Sequence, residues 1–507
     1  MSPRLAWSIV AGVCLGVAGL HVACIDQFGW FRDELYYFAC GKHLAWGYVD
    51  HPPAVAALAA FASRWLGDSL SALRAPAVLL GAVTTLCSVL LAHRLGARSV
   101  GLVLTAAGVS LSPTFLFVFH TLSMNSLEPL LWTAFCCLLL EVGRAPTFGR
   151  HALLGLALGL GLLTKHSMAF LAFASVVAWV LAGRGRSLFT RGFALTLGLG
   201  FVLVLPHLVW QLHHGLPALE FYANAQSQKM VRMSPLGFVV AQITLAGPGN
   251  LPLWLSGLVG LTLVRDDPAA RALGLSYLVL LGLLVVLGAK AYYLLPFYPV
   301  LFAGGGASLE RWAARRALRR LPQMAGVVAV GLGAATTPLA LPILEVQRTV
   351  AWGRRLGLAP PKAERAELGA LPQHFADMFG WPELVRAVAR ARDALPEGDR
   401  ASVQVIVTNY GEAGAVDRFG PALGLPRALS PHNSYHGWGT PREDGPVLLV
   451  LAKDARLDPN ALFERVELVG EHDAEYAMPY ERGLRIYSCR GWKRPARVVW
   501  AELKRFI

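Results

Sequence analysis

The segment from residue 31 to residue 58 combines acidic, basic and aromatic side chains directly after an apolar run. It reads FRDELYYFACGKHLAWGYVDHPPAVAAL and contains an adjacent carboxylate pair, Asp33 and Glu34. Carboxylates near the start of a helix commonly cap it and interact favourably with the positive end of its dipole. A carboxylate can also take a proton from a reacting group or give one to it. Which role applies depends on where the chain places the pair.

The composition identifies a membrane protein. Hydrophobic residues make up 55% of the 507 residues and charged residues only 15%, an apolar excess that soluble globular chains do not have. The formal net charge is +14, which would suggest nucleic acid as the partner of a soluble chain. Here most arginines lie between apolar segments, where they orient membrane helices. We therefore expect membrane lipid and no nucleic acid as a partner.

Apolar runs predict eleven membrane spans, of which the first is an uncleaved anchor. The runs lie at about 5–25, 75–93, 100–119, 122–143, 151–164, 167–183, 192–211, 250–264, 272–289, 291–308 and 323–344. With the amino terminus in the cytoplasm, every inner loop is basic, as the positive-inside tendency requires. This orientation puts residues 26–74, 212–249 and the carboxyl-terminal part on the outer side. The acidic pair then follows the first span at headgroup depth, where an ionisable group usually marks a functional site.

From about residue 345 the pattern becomes that of a soluble α/β domain. Helical patterns occur in LPQHFADMFGWPELVRAVARARDAL and GEAGAVDRFG, and strand patterns in SVQVIVTNY, GPVLLVLAKD and LRIYSC. The sequence thus predicts a transmembrane domain over residues 1–344 and an extracytoplasmic α/β domain over residues 345–507. The basic tail CRGWKRPARVVWAELKRF fits a solvated terminal helix or a helix against lipid headgroups. The sequence leaves open whether Cys40 and Cys489, which lie outside the apolar runs, form a disulfide.

Further polar side chains collect at the predicted outer ends of the spans. The double proline after His51 begins an apolar stretch with helical spacing, as expected of a helix lying in the membrane interface. The other candidate binding residues are Asn125, Glu128, Lys165, Lys290, Tyr292 and Tyr293, with Lys229 and Arg232 in the long outer loop. Snorkelling explains a lone lysine at a helix end equally well. A glutamate one turn inside a span is costly and therefore points to a role.

Several motifs, in this order, resemble bacterial members of glycosyltransferase family 39. They are RDELYY, HPP, GLLTKHS, KAYYLLPFYP, TNYGEAGAVDRFGP and HNSYHGWG, and the resemblance covers nearly the whole chain. Such proteins are similar to protein O-mannosyltransferases and aminoarabinose lipid A transferases, which have the GT-C architecture. The resemblance implies a hexosyl- or pentosyltransferase that moves a sugar from a polyprenyl-phosphate carrier to a hydroxyl acceptor on lipid, glycan or protein. It also implies that the site faces the periplasm, at the outer side of the bacterial cytoplasmic membrane.

The resemblance also implies roles for individual residues. By position, Asp33 takes the place of the family's catalytic aspartate and Glu34 that of its neighbour. The acceptor hydroxyl must lose its proton as a phosphate leaves, so a carboxylate serves as base and cations stabilise the leaving group. We expect these cations among Lys165, Lys290, Lys229 and Arg232. Many relatives have an aspartate where this chain has MNSLEP, which makes Asn125 and Glu128 candidates for that position. No cluster with metal-ligand spacing appears, so the need for a divalent metal ion stays open.

A transporter or flippase of a lipid-linked or small polar substrate is the main alternative, because it also needs polar groups within a helical bundle. That class would show internal symmetry and ionisable residues in mid-span, whereas here the titratable residues gather at one face. A third interpretation makes the outer domain a sensing module on an inert anchor, which would not need eleven spans. The placement of the charged groups favours the transferase. The identity of the sugar depends on a few hydrogen bonds that composition does not encode.

Overall fold

Helices make up the first part of the chain. The computed structural model describes residues 1–229, 233–316, 318, 320–357, 367–444, 447–453 and 457–507, and the candidate cation Arg232 lies outside them. In chain order the helices of the first part are α1 (Pro3–Ala23), α2 (Arg32–Lys42), α3 (Ala54–Trp65), α4 (Leu70–Arg94), α5 (Val100–Ser110), α6 (Pro113–Val118), α7 (Met124–Arg144), α8 (Phe148–Thr164), α9 (Met168–Leu181), α10 (Arg191–His213), α11 (Pro217–Asn224), α12 (Pro235–Ala246), α13 (Leu251–Thr262), α14 (Pro268–Val286), α15 (Tyr298–Arg315) and α16 (Leu321–Thr336).

The long apolar helices confirm a polytopic helical membrane protein. Within the described residues, five helices (α1, α4, α7, α10 and α14) are long and apolar enough to cross a membrane. The pair Pro235–Ala246 and Pro248–Thr262, bent by 95°, gives a sixth span if the two are counted as one. Every predicted apolar run coincides with helix, and the predicted division at LLTKHS is confirmed, because α8 ends before Lys165 and α9 begins after Ser167.

Two helical features differ from the sequence prediction. The run at 100–119 is divided into α5 and α6 at Pro113, because proline lacks the N–H that a continuing helix would use and suits the first turn of a new one. The helix α12 lies in the stretch predicted as a long outer loop. A 3-10 helix, Ala291–Phe297, precedes α15 and carries the KAYY tyrosines.

The strands of the described chain form one five-stranded mixed sheet, in the spatial order β2-β1-β3-β5-β4. Strand β1 pairs in parallel with β2 and β3, whereas β5 is antiparallel to β3 and β4. The elements of this part are α17 (Val346–Arg355), α18 (Gln373–Ala376), α19 (Trp381–Asp393), α20 (Glu397–Arg400), β1 (Gln404–Ile406), α21 (Tyr410–Phe419), β2 (Ala428–Leu429), α22 (Tyr435–Trp438), β3 (Leu448–Ala452), α23 (Pro459–Leu462), β4 (Phe463–His472), β5 (Leu484–Trp492) and α24 (Ala496–Glu502).

Most predicted elements of this sheet region are confirmed. The three predicted strands are β1, β3 and β5, and GEAGAVDRFG lies in α21. The long predicted helix is broken into α18 and α19 at Gly380, whose φ of +91° is a glycine conformation. Strands β2 and β4 have no counterpart in the prediction. The basic tail forms α24, where Trp500 is buried against the sheet, so this helix is docked rather than solvated. Cys40 and Cys489 are both free, buried thiols.

One hydrophobic cluster joins the helical part to the sheet. It contains Leu35 and Tyr36 of α2 together with buried residues of α19, α21, β1 and β3. Helix α21 approaches α2 so closely that a Cβ atom on Gly414 would lie 2.9 Å from the carbonyl carbon of Leu35. A larger side chain at that position would therefore force the helices apart. The fold thus fixes the sheet against α2.

Candidate active site

Asp33 lies in the first turn of α2, at the boundary between the helical part and the sheet. Its side chain is 31% exposed. Tyr410, the first residue of α21, donates its hydroxyl to Asp33 Oδ1 at 2.9 Å. The Nε atom of Arg32 lies 3.6 Å from the same oxygen. Both contacts are to Oδ1, so the carboxylate is held from one side and stays accessible.

Glu34, the next residue, is 0% exposed. Arg74 donates through Nε to Glu34 Oε1 and through Nη2 to Oε2, both at 2.9 Å. The backbone N–H groups of Phe31 and Leu122 donate to the two oxygens at 2.9 and 3.0 Å. Arg74 also donates to two backbone carbonyls of the loop before α2, both at 2.7 Å. Glu34 therefore caps α2 and joins it to α4 and to the loop before α7.

Asp50 is a second carboxylate beside the site. Tyr36 donates its hydroxyl to Asp50 Oδ1 at 2.8 Å, and the Tyr36 ring stacks on Tyr410 with ring centres 4.7 Å apart. Burial is the main cause that raises the pKa of Asp50, and the negative charge of Asp33 adds to this effect. The two carboxylates are therefore close enough to influence each other. We call Asp33, Asp50, Tyr36 and Tyr410 the carboxylate cluster.

The predicted binding residues at the start of α7 and after α8 and α14 come together in a second cluster. Lys165 donates to Asn125 Oδ1 at 2.8 Å and to Glu128 Oε2 at 3.0 Å. Its ammonium group lies 5.0 Å from the centre of the Tyr293 ring and 5.6 Å from that of the Tyr292 ring. Lys290 lies 5.7 Å from the same Tyr292 ring. These cation–π distances put two positive charges beside one aromatic surface. The lysine cluster comprises Asn125, Glu128, Lys165, Lys290, Tyr292 and Tyr293.

Tyr222 of α11 contacts a residue next to the lysine cluster. Its hydroxyl hydrogen-bonds to Nδ1 of His166 at 2.8 Å, and His166 directly follows Lys165. Desolvation of the phenol is the main cause that raises the pKa of Tyr222, and the neighbouring Tyr293, Asp50 and Glu128 raise it further. Tyr222 thus experiences a carboxylate of each cluster.

The remaining sequence-predicted residues occupy different positions. Lys229 lies near His432: burial is the main cause that lowers the pKa of His432, and the charges of Arg505 and Lys229 contribute. The His432 ring is 4.8 Å from that of Tyr410, so Lys229 is on the side of the carboxylate cluster. His51 is completely buried, and its Nδ1 atom lies 2.8 Å from the Pro52 carbonyl oxygen. Such a position shapes the HPP turn and leaves no surface for a substrate.

Three residues of the site are absent from the sequence prediction. Arg74 directly precedes the predicted span at 75–93. In the sequence it is a single charged residue at the start of that span, with no sign of its partner. Asp50 and Tyr410 belong to quoted motifs, YVDHPP and TNYGEAG, but neither the spacing nor the composition indicates their partners. In the part of the chain that the structure describes, no group of three or more His, Cys, Asp and Glu side chains could hold a metal ion.

Known proteins resemble this chain in sequence. Residues 50–210 match the family model of dolichyl-phosphate-mannose-protein mannosyltransferases, a range that includes Lys165 but not Asp33. The chain is also 27% identical over 269 residues to the lipid A galacturonosyltransferase RgtD of Rhizobium johnstonii. The resemblance to glycosyltransferase family 39 is confirmed. The RgtD match covers 49% of this chain and 52% of that protein, so the chain spans about half the length of this relative.

Solved structures match nearly the whole chain. The crystal structure of ArnT from Cupriavidus metallidurans in the apo state has a TM-score of 0.63 at 14% identity and covers 96% of this chain and 98% of its own. The same protein bound to undecaprenyl phosphate gives a TM-score of 0.59 at 14% identity, covering 95% and 97%. At this identity the likeness concerns the fold. The chain has the ArnT fold.

The Glu34–Arg74 pair should be essential for stability. Arg74→Leu leaves the Glu34 carboxylate buried without its counterion, which typically costs about 3–5 kcal/mol. We expect the melting temperature of purified Arg74→Leu to fall well below that of the wild type and the double variant Glu34→Gln/Arg74→Leu to recover part of the loss. Lys42→Ala is the matched control, because it breaks an exposed ion pair with Asp68 of the same loop and should change little. Equal melting of Arg74→Leu and the wild type would refute this role.

Proposed function

We propose that the chain is an integral-membrane glycosyltransferase that moves a sugar from a polyprenyl-phosphate carrier to a hydroxyl acceptor. The observation that carries this proposal is the accessible Asp33 carboxylate, held by Tyr410, in a chain that also brings two lysines to one aromatic surface. The match to dolichyl-phosphate-mannose-protein mannosyltransferases and the fold of ArnT, which binds undecaprenyl phosphate, support a polyprenyl-phosphate donor. The similarity to RgtD, a lipid A galacturonosyltransferase, supports lipid as one of the three acceptor classes, which also include glycan and protein.

Asp33 acts as the general base in this proposal. The acceptor oxygen forms a bond to the anomeric carbon while the bond between that carbon and the phosphate oxygen breaks. The hydroxyl proton goes to Asp33, and the phosphate leaves with the bonding electron pair. Since Tyr410 and Arg32 contact Oδ1, Oδ2 is the oxygen that receives the proton. Glu34 supports the reaction only by holding α2 in place.

The lysine cluster holds the leaving phosphate. Lys165 gives two N–H groups to Asn125 and Glu128, and its third N–H is directed to a phosphate oxygen. The carboxylate of Glu128 balances the charge of this buried lysine before the donor binds, so that the empty site does not carry an isolated charge. Lys290 adds a second positive charge beside Tyr292, and Tyr292 and Tyr293 line the sugar or phosphate.

Lys229 belongs to a different part of the site from the lysine cluster. The charge of Lys229 reaches His432, which packs on Tyr410, so we assign Lys229 to the acceptor or phosphate beside the carboxylate cluster. Arg232 stays a candidate by its place three residues further along the chain. Each added cation would stabilise the phosphate charge that develops as the sugar leaves.

We further propose the eleven-span topology, in which both clusters and the sheet domain lie on the periplasmic side of the cytoplasmic membrane. Its support is the segregation of charge. The clusters gather with the sheet on one side, whereas Arg144 at the end of α7 pairs with Asp267 at 2.6 Å and donates to the Arg94 carbonyl at 2.8 Å. These arginines belong to predicted inner loops. The division into a transmembrane domain (1–344) and a sheet domain (345–507) is part of the same proposal.

Reporter fusions test the topology. Each position is fused to β-galactosidase, which is active only in the cytoplasm, and to alkaline phosphatase, which is active only in the periplasm. A fusion after residue 316, which follows the basic end of α15, should show β-galactosidase activity. A fusion after residue 400 should show alkaline phosphatase activity. Fusions that report the same side at both positions would overturn the odd number of spans.

Asp33→Asn tests the function itself. The variant keeps the shape of the side chain but removes the base, so the rate of sugar transfer should fall about 10²-fold or more while the melting temperature stays near that of the wild type. The measurement is transfer from a synthetic polyprenyl-phosphate sugar by the purified protein. Asp68→Asn, at an exposed position in the same outer segment, should transfer at the wild-type rate. Normal turnover of Asp33→Asn would sink the assignment, and a wild type without any transfer would favour the transporter alternative.

Lys165→Met tests the phosphate site. Loss of a hydrogen bond between an ammonium and a phosphate should raise the KM for the polyprenyl-phosphate sugar by about tenfold or more. Since this variant leaves Glu128 buried without its cation, the double variant Lys165→Met/Glu128→Gln separates donor binding from folding. Lys42→Met removes an exposed lysine of the same charge and should leave the KM unchanged. If the KM of the double variant also equals that of the wild type, the phosphate binds elsewhere.

A further inference from the structure

Tyr410 belongs to the sheet part of the chain but reaches the candidate base in the helical part. The residue is 7% exposed, and its hydroxyl donates to Asp33 Oδ1 at 2.9 Å. The two residues are 377 positions apart in the chain. A hydrogen bond of this kind couples the reacting loop directly to the separate sheet. A hydrogen bond to a carboxylate is stronger than one between neutral groups.

The position of the Tyr410 hydroxyl is fixed from several directions. Asn409 caps α21 by accepting the N–H groups of Gly411 and Glu412 at 2.8 and 3.1 Å. The Tyr410 ring packs against those of Tyr36 and His432, with ring centres 4.7 and 4.8 Å away. A ring that packs against two others at the start of a capped helix has little freedom. The hydroxyl is therefore presented to Asp33 in one orientation.

Acidic residues behind the helix start reinforce this arrangement. Asn409 Nδ2 donates to both Glu412 Oε1 and Glu481 Oε1 at 2.9 Å. Burial raises the pKa of Glu481 well above its ordinary value, and the neighbouring Glu412 raises it further. Glu481 Oε2 has no hydrogen-bond partner among the residues that the structure describes. The cap of α21 is thus held by two buried carboxyl groups through Asn409.

Arg32 does not substitute for Tyr410 at Asp33. Its Nε atom lies 3.6 Å from Asp33 Oδ1 and has no hydrogen-bond partner within the described residues. The guanidinium group instead donates to Tyr480 and lies 3.8 Å from Asp377. Burial raises the pKa of Tyr410 well above its ordinary value, so the phenol keeps the proton that it donates. Tyr410 therefore supplies the hydrogen bond that orients the carboxylate.

We infer that Tyr410 is a positioning residue for the proposed transfer reaction, so that the sheet domain completes the active site of the helical part. This inference rests on the proposed function. By occupying Oδ1, Tyr410 turns Oδ2 towards the acceptor hydroxyl. Transfer then requires the sheet to be docked on α2. Undocking would leave Asp33 in place but without its orientation.

The split between kcat and KM distinguishes this role from a purely structural one. Tyr410→Phe keeps the ring and removes only the hydroxyl that contacts Asp33. Loss of this donor leaves the base less well oriented, so kcat should fall. Binding of the donor phosphate at the lysine cluster should be preserved.

The experiment compares purified Tyr410→Phe with Tyr435→Phe, using a synthetic polyprenyl-phosphate sugar. Tyr435 is a matched control, because it is buried in the same domain and donates its hydroxyl to a different carboxylate, Asp417 Oδ2, at 3.0 Å. We expect kcat of Tyr410→Phe to fall about tenfold, with the donor KM nearly unchanged. Tyr435→Phe should keep the wild-type kcat. A Tyr410→Phe variant with the wild-type kcat would overturn the inference.

A double-mutant cycle tests the contact without relying on transfer. The melting temperatures of wild type, Tyr410→Phe, Asp33→Ala and the double variant give the coupling between the two side chains. Coupling that exceeds the error supports the hydrogen bond, and additive effects overturn the inference even if the wild type is active. If the cycle shows coupling but the wild type transfers no sugar, the proposed function is contradicted instead. The two failures are therefore distinguishable.

Discussion

The buried ion pair between Glu34 and Arg74 determines where Asp33 lies. Two charged groups taken out of water cost free energy unless the geometry is excellent and the remaining lone pairs are satisfied. Here the pair is bidentate, and backbone N–H groups supply the further donors. This fixes the first turn of α2 against α4, with one carboxylate inside and its neighbour at the surface. The capping interpretation of the acidic pair therefore applies to Glu34, and the chemical interpretation is proposed for Asp33 alone.

The sheet part of the chain holds the segment around Asp33 and Asp50 from the other side. Ser434 Oγ accepts the Val49 N–H at 3.1 Å and lies 2.8 Å from the Tyr36 hydroxyl, so the segment around Asp50 is attached to the sheet part as well as to α2. The helical bundle therefore fixes Glu34, whereas the sheet fixes the side chains around Asp33 and Asp50. A site built between two rigid parts is more exactly positioned than one on a free loop.

The sequence predicts what depends on local patterns. Each apolar run corresponds to helix, and the RDELYY motif locates Asp33 at a helix start. The role of Arg74 is not predicted, because a hydropathy pattern treats a charge at the end of an apolar run as the boundary of a span. In the structure this arginine is buried. Tyr410 escapes it because its partner is 377 residues away, and no periodicity encodes such a pairing. Strand β2 has only two residues, Ala428–Leu429, too few for an alternation to appear; its parallel pairing with β1 depends on the whole sheet.

The close packing of α21 on α2 also has a consequence for how such proteins can change. Because Leu35 and Gly414 share a contact that admits no additional carbon atom, a substitution on one helix restricts what the other can tolerate. The unit that can be exchanged between relatives is then not the region after residue 344 alone. It is that region together with residues 30–53. A chimera that takes the two from different relatives would disrupt the hydrophobic cluster between them, whereas its membrane helices would stay intact.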